Sequence, residues 1–253
     1  MDGGYIALLD VLGFRELVAA DSDGSRIRSY LDCLQEMTKP EGVDYIVFSD
    51  SIVITAIGET EQAFISVARS CSQLMHALLN QGIPIRGAIA YGAFFRSAVA
   101  KSAFVAGRAV IDAYTFEQAQ DWVGVMIAPS ALRRIPDADS RCSLSGCSNS
   151  ERFKELLERI EWPAFIHRCQ SIPFHSTATL NPQYFDGYAV VPTAGVMEPA
   201  AIRDAIGTAI ERLDWLRSIA PSPQAQRKYQ ETIKWLGLVQ SDWHNLSLML
   251  IRR

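Results

Sequence analysis

The sequence has no apolar run near the ~18 residues a membrane-spanning helix needs, so no membrane partner is expected. It has no basic excess: 24 Lys and Arg stand against 28 Asp and Glu, for a net charge of -4. That balance excludes a dedicated nucleic-acid binder but not a nucleotide site, which needs only a few local cations. Cysteine is scarce, with five residues at 33, 71, 142, 147 and 169. An odd, scattered set in a chain of 253 residues makes no disulfide framework and points to a reducing cytoplasm. Cys142 and Cys147 could form half of a zinc site, but no second Cys or His pair lies at matching spacing. The four histidines, at 76, 167, 175 and 244, are equally dispersed. No repeat, low-complexity tract or long linker interrupts the chain. The start, Met1-Asp2-Gly3-Gly4, carries no positive charge and leads straight into a strand pattern, so no secretory leader is expected. What remains is an ordinary globular composition, 49% hydrophobic and 21% charged, with ample material for a core.

Periodicity orders the first half clearly. A strand over 5–10 precedes Gly13-Phe14 and a helical stretch to about Ala20. A second helix carries Ile27, Tyr30, Leu31, Leu34 and Met37 and stops before Lys39-Pro40. Strands over 44–48 and 52–56 flank the turn Ser49-Asp50-Ser51 and read as a hairpin. A long helix over 60–80 carries Phe64, Val67, Ala68, Cys71, Leu74, Met75 and Leu78 on one face and ends at Gln81-Gly82. Next come a strand from Ile85 to Tyr91 closed by Gly92, a partner strand over 93–99, a helix over 107–120 and a strand over 123–127. The order implies an α/β fold, an α+β sandwich with helices over one face of a mainly antiparallel sheet, as in ferredoxin-like folds. Residues 137–150 read as a polar loop and 151–161 as a short charged helix. Residues 162–188 have aromatics and prolines without clear period, and 200–219 and 224–240 read as amphipathic helices. We therefore divide the chain into a core, 1–136, and a C-terminal elaboration packed on it, 137–253.

Two carboxylates stand out. Asp10 ends the apolar run Ala7-Leu8-Leu9 and is followed at once by the glycine turn at Gly13. Asp50 sits at the tip of the hairpin. If the two strands are neighbours, both side chains converge, and with the Val11 carbonyl they form a ligand set for one or two divalent cations. The amides of Leu12, Gly13 and Phe14, leading into a helix, are placed to receive phosphate oxygens. A pair of metals at such a point suits phosphoryl or nucleotidyl transfer. The alternative for Asp10 is a cap on the next helix.

Four segments then carry a resemblance. Asp10-Val11-Leu12-Gly13-Phe14 resembles the Asp-Ile-x-Gly-Phe signature of class III nucleotidyl cyclases. Phe48-Ser49-Asp50-Ser51 resembles their second metal hairpin, with Ser49 where the family usually has Gly. Residues Ile85 to Gly92 resemble the Arg-x-Gly-Ile-x-x-Gly strand, and Gly107 to Ala113 the Gly-x-x-Val-Asn-x-Ala helix start. The match covers about the first 130 residues in the family's order. It implies a class III cyclase core, metal ligation by Asp10, Val11 and Asp50 with two Mn²⁺ or Mg²⁺ ions per site, and catalysis centred on the two aspartates.

The departures matter as much. The family's transition-state Asn and Arg fall at Ile111 and Thr115, and its purine-reading positions fall at Ile46 and Phe104. Metal and phosphate chemistry is kept while the base contacts are replaced. Candidate replacements are Tyr114 and Gln118, a turn along from Ile111; Arg96, Lys101 and Arg108, as cations for a triphosphate; and Tyr45, beside the altered base position. Arg86 is either a phosphate contact or a structural partner. In this reduced form the sequence resembles the pyrimidine cyclases of bacterial Pycsar anti-phage defence. That resemblance implies a self-contained cytoplasmic homodimer, with sites at the subunit interface, that converts UTP, ahead of CTP, to the cyclic monophosphate. Two other readings stay open: an inactive nucleotide-binding module, and a purine cyclase with an altered pocket.

Overall fold

The computed structural model describes residues 2–37, 39–99, 102–133, 166–174, 183–194 and 199–251. The loop expected at 137–150 and the helix expected at 151–161 lie outside these residues, as do Lys101, Cys142, Cys147 and His175.

The frame is one eight-stranded sheet. Its first strand, β1 (Asp2–Val11), lies between β3 (Ser51–Ile57) and β4 (Ile85–Val99), antiparallel to both. β2 (Val43–Phe48) forms the outer edge beside β3. Beyond β4 come β6 (Gly124–Ile127), β8 (Gln183–Val190) and β7 (Ile166–Phe174), and β5 (Ser102–Gly107) folds back on the far end of β4. All described pairings are antiparallel except β4 with β6. The fold is thus α+β with a mainly antiparallel sheet, as expected.

Alternation along β1 separates two cores. Tyr5, Ala7, Leu9 and Val11 face α1 (Phe14–Ala20), α2 (Ser25–Glu36) and α3 (Glu61–Asn80). The N-terminus of α3 is closed by Thr60, whose hydroxyl accepts from the Ala63 amide at 3.2 Å. Its buried side chains include the predicted stripe Phe64, Val67, Ala68, Cys71, Leu74, Met75 and Leu78. Ile6 lies on the opposite face, with Ala90, Phe94 and the alanines 109 and 113 of α4 (Arg108–Ala119). Helices therefore cover both faces of the sheet, not one. The stripe Ala109, Ala113 and Glu117 recurs every fourth residue and gives α4 a narrow side that seats close to the strands.

Two other expectations are corrected. Gly92 does not end a strand, because β4 runs unbroken through it and pairs with β1 as far as Phe94. Its role is to let α4 approach: a Cβ built there would lie 3.3 Å from the Ala109 amide. The partner of the far half of β4 is accordingly β5. In the stretch 162–188, which showed no period, β7 and β8 extend the same sheet, with a register shift between Cys169 and Ile172. A broken alternation hides a strand from pattern reading.

A short helix, α5 (Pro129–Leu132), follows β6. The described residues end in two long helices, α6 (Pro199–Ile219) and α7 (Pro223–Ile251). With Trp122, Val123, Met126, Cys169 and Ile172 their apolar sides make a second large cluster, on which Leu12 also packs. No described helix is long and apolar enough to cross a membrane.

Gly87 is a point of close approach between β4 and β1. A Cβ there would lie 2.4 Å from Leu9 Cδ2 and 2.5 Å from the Leu8 carbonyl oxygen. Gly87→Ala is expected to lower stability by about 1–3 kcal/mol, the usual cost of overpacking. Urea denaturation with an unchanged m-value would check it.

Candidate functional site

Register brings the two aspartates together. Asp10 pairs across β1–β3 with Ser51, and the Val11 amide donates to the Asp50 carbonyl at 3.0 Å. The hairpin tip is therefore tied to the end of β1, and both carboxylates sit at one end of the sheet. Asp10 is not a helix cap, since the N-cap of α1 is Gly13 and no side chain bonds there. Gly13 has φ 74°, a left-handed conformation that suits glycine and turns the chain sharply into α1.

The tip itself is strained. Ser49 has φ 57°, where a side chain is disfavoured and glycine is not. This is the position where the resembling family carries Gly. The Tyr30 hydroxyl donates to the Ser49 carbonyl at 3.4 Å and steadies the turn. Burial and the nearby Asp50 charge push the Tyr30 phenol up to about 12, so it stays a neutral donor.

On its other side Asp10 faces Arg86, its register partner on β4. Arg86 is committed elsewhere: its Nε donates to Glu117 Oε1 at 2.7 Å and its Nη1 to the Gln120 carbonyl at 3.0 Å, with Nη2 also on Glu117. The pair is buried, with only 2% of the Glu117 side chain exposed. Of the two roles left open for Arg86, the geometry selects the structural one. Gln120 completes the lock by donating to the Gly87 and Phe116 carbonyls and accepting from Trp122 Nε1. Burial, then the charges of Glu117 and Asp50, raise the Asp10 carboxyl to about 6, and Arg86 and Lys228 pull against that shift.

The other predicted residues scatter in an instructive way. The Leu12 amide already donates to the Pro84 carbonyl at 2.9 Å, so it is not available to a phosphate. Among the described residues the amides of Gly13 and Phe14 have no such tie, and they stand at the head of α1. Tyr45 packs on the α3 core, on the face opposite Asp10, because it is adjacent to Ile46 and alternation turns it away. Its phenol, pushed up to about 12 by burial, does not open toward the aspartates. Arg96 bonds Asp44 and reaches Thr55, whose partner Ile6 lies four residues along β1 from Asp10. Arg108 is exposed at the opposite end of α4 from Glu117. Tyr114 is exposed on α4 with Ile111, and Gln118 shares that surface while its amide donates to Glu117 Oε2 at 2.7 Å. Lys101 lies outside the described residues. Within one chain the fold thus gathers Asp10, Asp50, Val11, Gly13 and Phe14, links Gln118 to them only through Glu117, and leaves Leu12, Tyr45, Arg96, Arg108 and Tyr114 out of that point.

Sequence reasoning missed Glu117, Gln120 and Lys228. A signal for Glu117 was present, since an alanine stripe that ends in a glutamate one turn on predicts a buried acid in need of a partner. Lys228 had none, because only tertiary packing brings α7 against Asp121 and Val123.

The donor set fits a hard divalent cation. Mg²⁺ and Mn²⁺ sites for triphosphates use one or two carboxylates and complete their shell with phosphate oxygens and water. Asp10 and Asp50 supply that number, and the raised Asp10 carboxyl is the electrostatic tension a cation would relieve. Among the described residues no group of three or more His, Cys, Asp or Glu is disposed to hold a metal unaided.

No protein-family model matches the sequence, and no curated protein matches it. Solved structures similar to it include the adenylyl cyclase CyaB from P. aeruginosa, at 14% identity and TM-score 0.45, covering 75% of this chain and 94% of that one. The guanylyl cyclase Cya2 is similar at 14% identity and TM-score 0.44, over 79% of this chain and 97% of that one. The guanylyl cyclase domain of a RhoGC fusion protein from the fungus Blastocladiella emersonii is similar at 13% identity and TM-score 0.40, over 53% and 84% of the two chains.

Two predictions follow from this geometry. The folded Asp10 carboxyl titrates above its unfolded value of 3.8, so the stability it contributes is complete below pH 3.8 and is lost as pH rises through about 6. Asp10→Asn should therefore raise stability at pH 7.5 by about 1–2 kcal/mol, discounted for partial exposure, with the gain vanishing toward pH 4. Thermal unfolding at the two pH values reads this out. Ser49→Gly should stabilise by about 0.5–1 kcal/mol through relief of the left-handed backbone, checked by the urea midpoint.

Proposed function

We propose that the chain is a nucleotidyl cyclase that forms a 3′,5′-cyclic monophosphate and pyrophosphate from a nucleoside triphosphate. The observation that carries this reading is the convergence of Asp10 and Asp50 at one end of the sheet, across a single backbone hydrogen bond. Asp10, Asp50 and the Val11 carbonyl would hold divalent ions, two per site, beside the amides of Gly13 and Phe14. Ions bound there supply Lewis-acid activation of the ribose 3′-hydroxyl and charge compensation at the phosphates. By holding those ions the two aspartates would bring the α-phosphate within in-line reach of the 3′-oxygen, which gives up its proton to water as its bond to phosphorus forms. The bond from the α-phosphorus to the bridging oxygen breaks, and pyrophosphate leaves.

The working unit is a homodimer with sites at its interface. Arg108 and Tyr114 project from α4 without converging on their own Asp10, as residues would that complete a second copy's site. Phe48, Phe104, Ile111 and Tyr114 are each more than half exposed, large apolar side chains that contact with another copy would bury.

The substrate is a pyrimidine triphosphate, UTP ahead of CTP, and the product is a second messenger in anti-phage defence. Ile46 and Phe104 offer no side-chain hydrogen bond to a purine edge. A different observation favours a binding module without turnover. Ile111 projects into solvent, and the Thr115 hydroxyl is spent on the Ile111 carbonyl at 2.7 Å, so neither replaces the Asn and Arg of the resembling family.

One assay separates these readings. The purified protein is incubated with each of the four ribonucleoside triphosphates and Mn²⁺, and products are resolved by chromatography. The expected outcome is cyclic UMP, with at least 100-fold less in Asp10→Ala and Asp50→Ala proteins that unfold at or above the wild-type temperature, a loss in the range of removing a principal charge-stabilising group. Preferred cyclisation of ATP or GTP would establish the purine reading. Triphosphate binding without any product would establish the module.

A further inference from the structure

The site as described is short of positive charge. A triphosphate brings about four negative charges, and hydrogen bonds to phosphate are strongest from cations. Arg86 is consumed by Glu117 and Gln120, Arg96 by Asp44, and Arg108 lies at the other end of α4.

One lysine is differently placed. Lys228 lies in the first turns of α7, on the second helix of the C-terminal pair, and its ammonium is 3.3 Å from Asp121 Oδ1. Asp121 directly follows Gln120, whose carbonyl accepts from Arg86, the register partner of Asp10. The helix is fixed at this point by several independent contacts. Thr232 receives the Val123 amide at 2.9 Å and donates to the Val123 carbonyl at 2.8 Å, and Trp235 packs edge-on against Trp122 with centroids 5.1 Å apart. Leu12, two residues past Asp10, packs on the same apolar cluster as Trp235 and Leu236. The Lys228 side chain is 23% exposed, so it is largely packed and yet open in part to water. Its charge reaches the Asp10 carboxyl, which it favours in ionised form.

We propose that Lys228 is a phosphate-binding residue of the Asp10–Asp50 site, supplied by the C-terminal helix to the polyphosphate end of the nucleotide. This rests on the cyclase reading above. An ammonium has three donors, of which Asp121 takes one, so the same residue can hold Asp121 and a phosphate oxygen together. The C-terminal helices then do more than cover the sheet, since they complete the charge of the site.

The test is calorimetric titration of the full chain with inorganic tripolyphosphate in Mn²⁺ buffer, run beside the cyclisation assay. Lys228→Met should weaken tripolyphosphate at least tenfold and raise KM for the triphosphate more than it lowers kcat. Lys228→Arg should recover most of the affinity. Asp121→Asn discriminates a structural role: if the lysine serves only to bridge to Asp121, the two losses match, whereas a phosphate ligand keeps its affinity without that aspartate. Lys234→Met, on the same helix and paired with Glu231, should leave both readouts unchanged. Should Lys228→Met not fold, Lys228→Gln replaces it with the same expectation. Unchanged affinity in the lysine variants with wild-type binding intact overturns the assignment of Lys228 alone. Wild-type protein that neither binds tripolyphosphate nor cyclises any triphosphate overturns the cyclase reading with it.

Discussion

The buried pair between Arg86 and Glu117 is the constraint on which the candidate site depends. Two charges in a protein interior are tolerated only when each is matched in geometry and hydrogen bonding, and removing one partner costs about 3–5 kcal/mol. Here the match is close. Three guanidinium nitrogens are engaged, by the Glu117 carboxylate and the Gln120 carbonyl, and Gln118 takes the remaining Glu117 oxygen. That set fastens the C-terminal end of α4 to β4 at the residue opposite Asp10. Gln120 carries the connection on to Gly87, Phe116 and Trp122, and Trp122 carries it to α7.

The same constraint sets the electrostatics. Because Glu117 is held close to Asp10, it adds to burial in raising that carboxyl, while Arg86, already paired, compensates only in part. A site arranged this way disfavours a second negative charge unless a cation accompanies it. The Asp50 hairpin, paired with β1 along β3, closed onto Val11 at its tip and turned through a strained serine, adds the second carboxylate at the same point. Local strain and unpaired charge together are features that stable folds avoid and that binding sites retain.

Much of this was legible in residue order. The strand endings at Asp10 and Asp50, the hairpin between Phe48 and Ser51, the stripe of α3 and the start of α4 at Gly107 all follow from period and turn chemistry, which are local. Tyr45 lies away from the aspartates because its strand sends adjacent side chains to opposite faces, so nearness to Ile46 in sequence does not carry it to the same face. Leu12 was misplaced because the fate of its amide depends on Pro84, more than seventy residues away. The stretch ending at Tyr188 concealed two strands, since a register shift erases alternation and the partner strand β6 is remote.

By itself the sequence determined which carboxylates end their strands, which helices have an apolar side, and that the chain lacks the charge excess of a nucleic-acid binder. Those properties depend on neighbours within a few residues, where backbone geometry limits the outcomes. Only the tertiary structure decided that β1 would run between β3 and β4, so that Asp10 meets the Asp50 hairpin on one side and Arg86 on the other. It also decided that Arg86 would be spent on Glu117, and that a lysine from the last helix would come within reach. Those outcomes rest on long-range pairing and on competition among charges for partners, which no local pattern encodes. Asp10 is the residue where both kinds of determination meet. Its place at the end of a strand is local, and the company that tunes its charge is not.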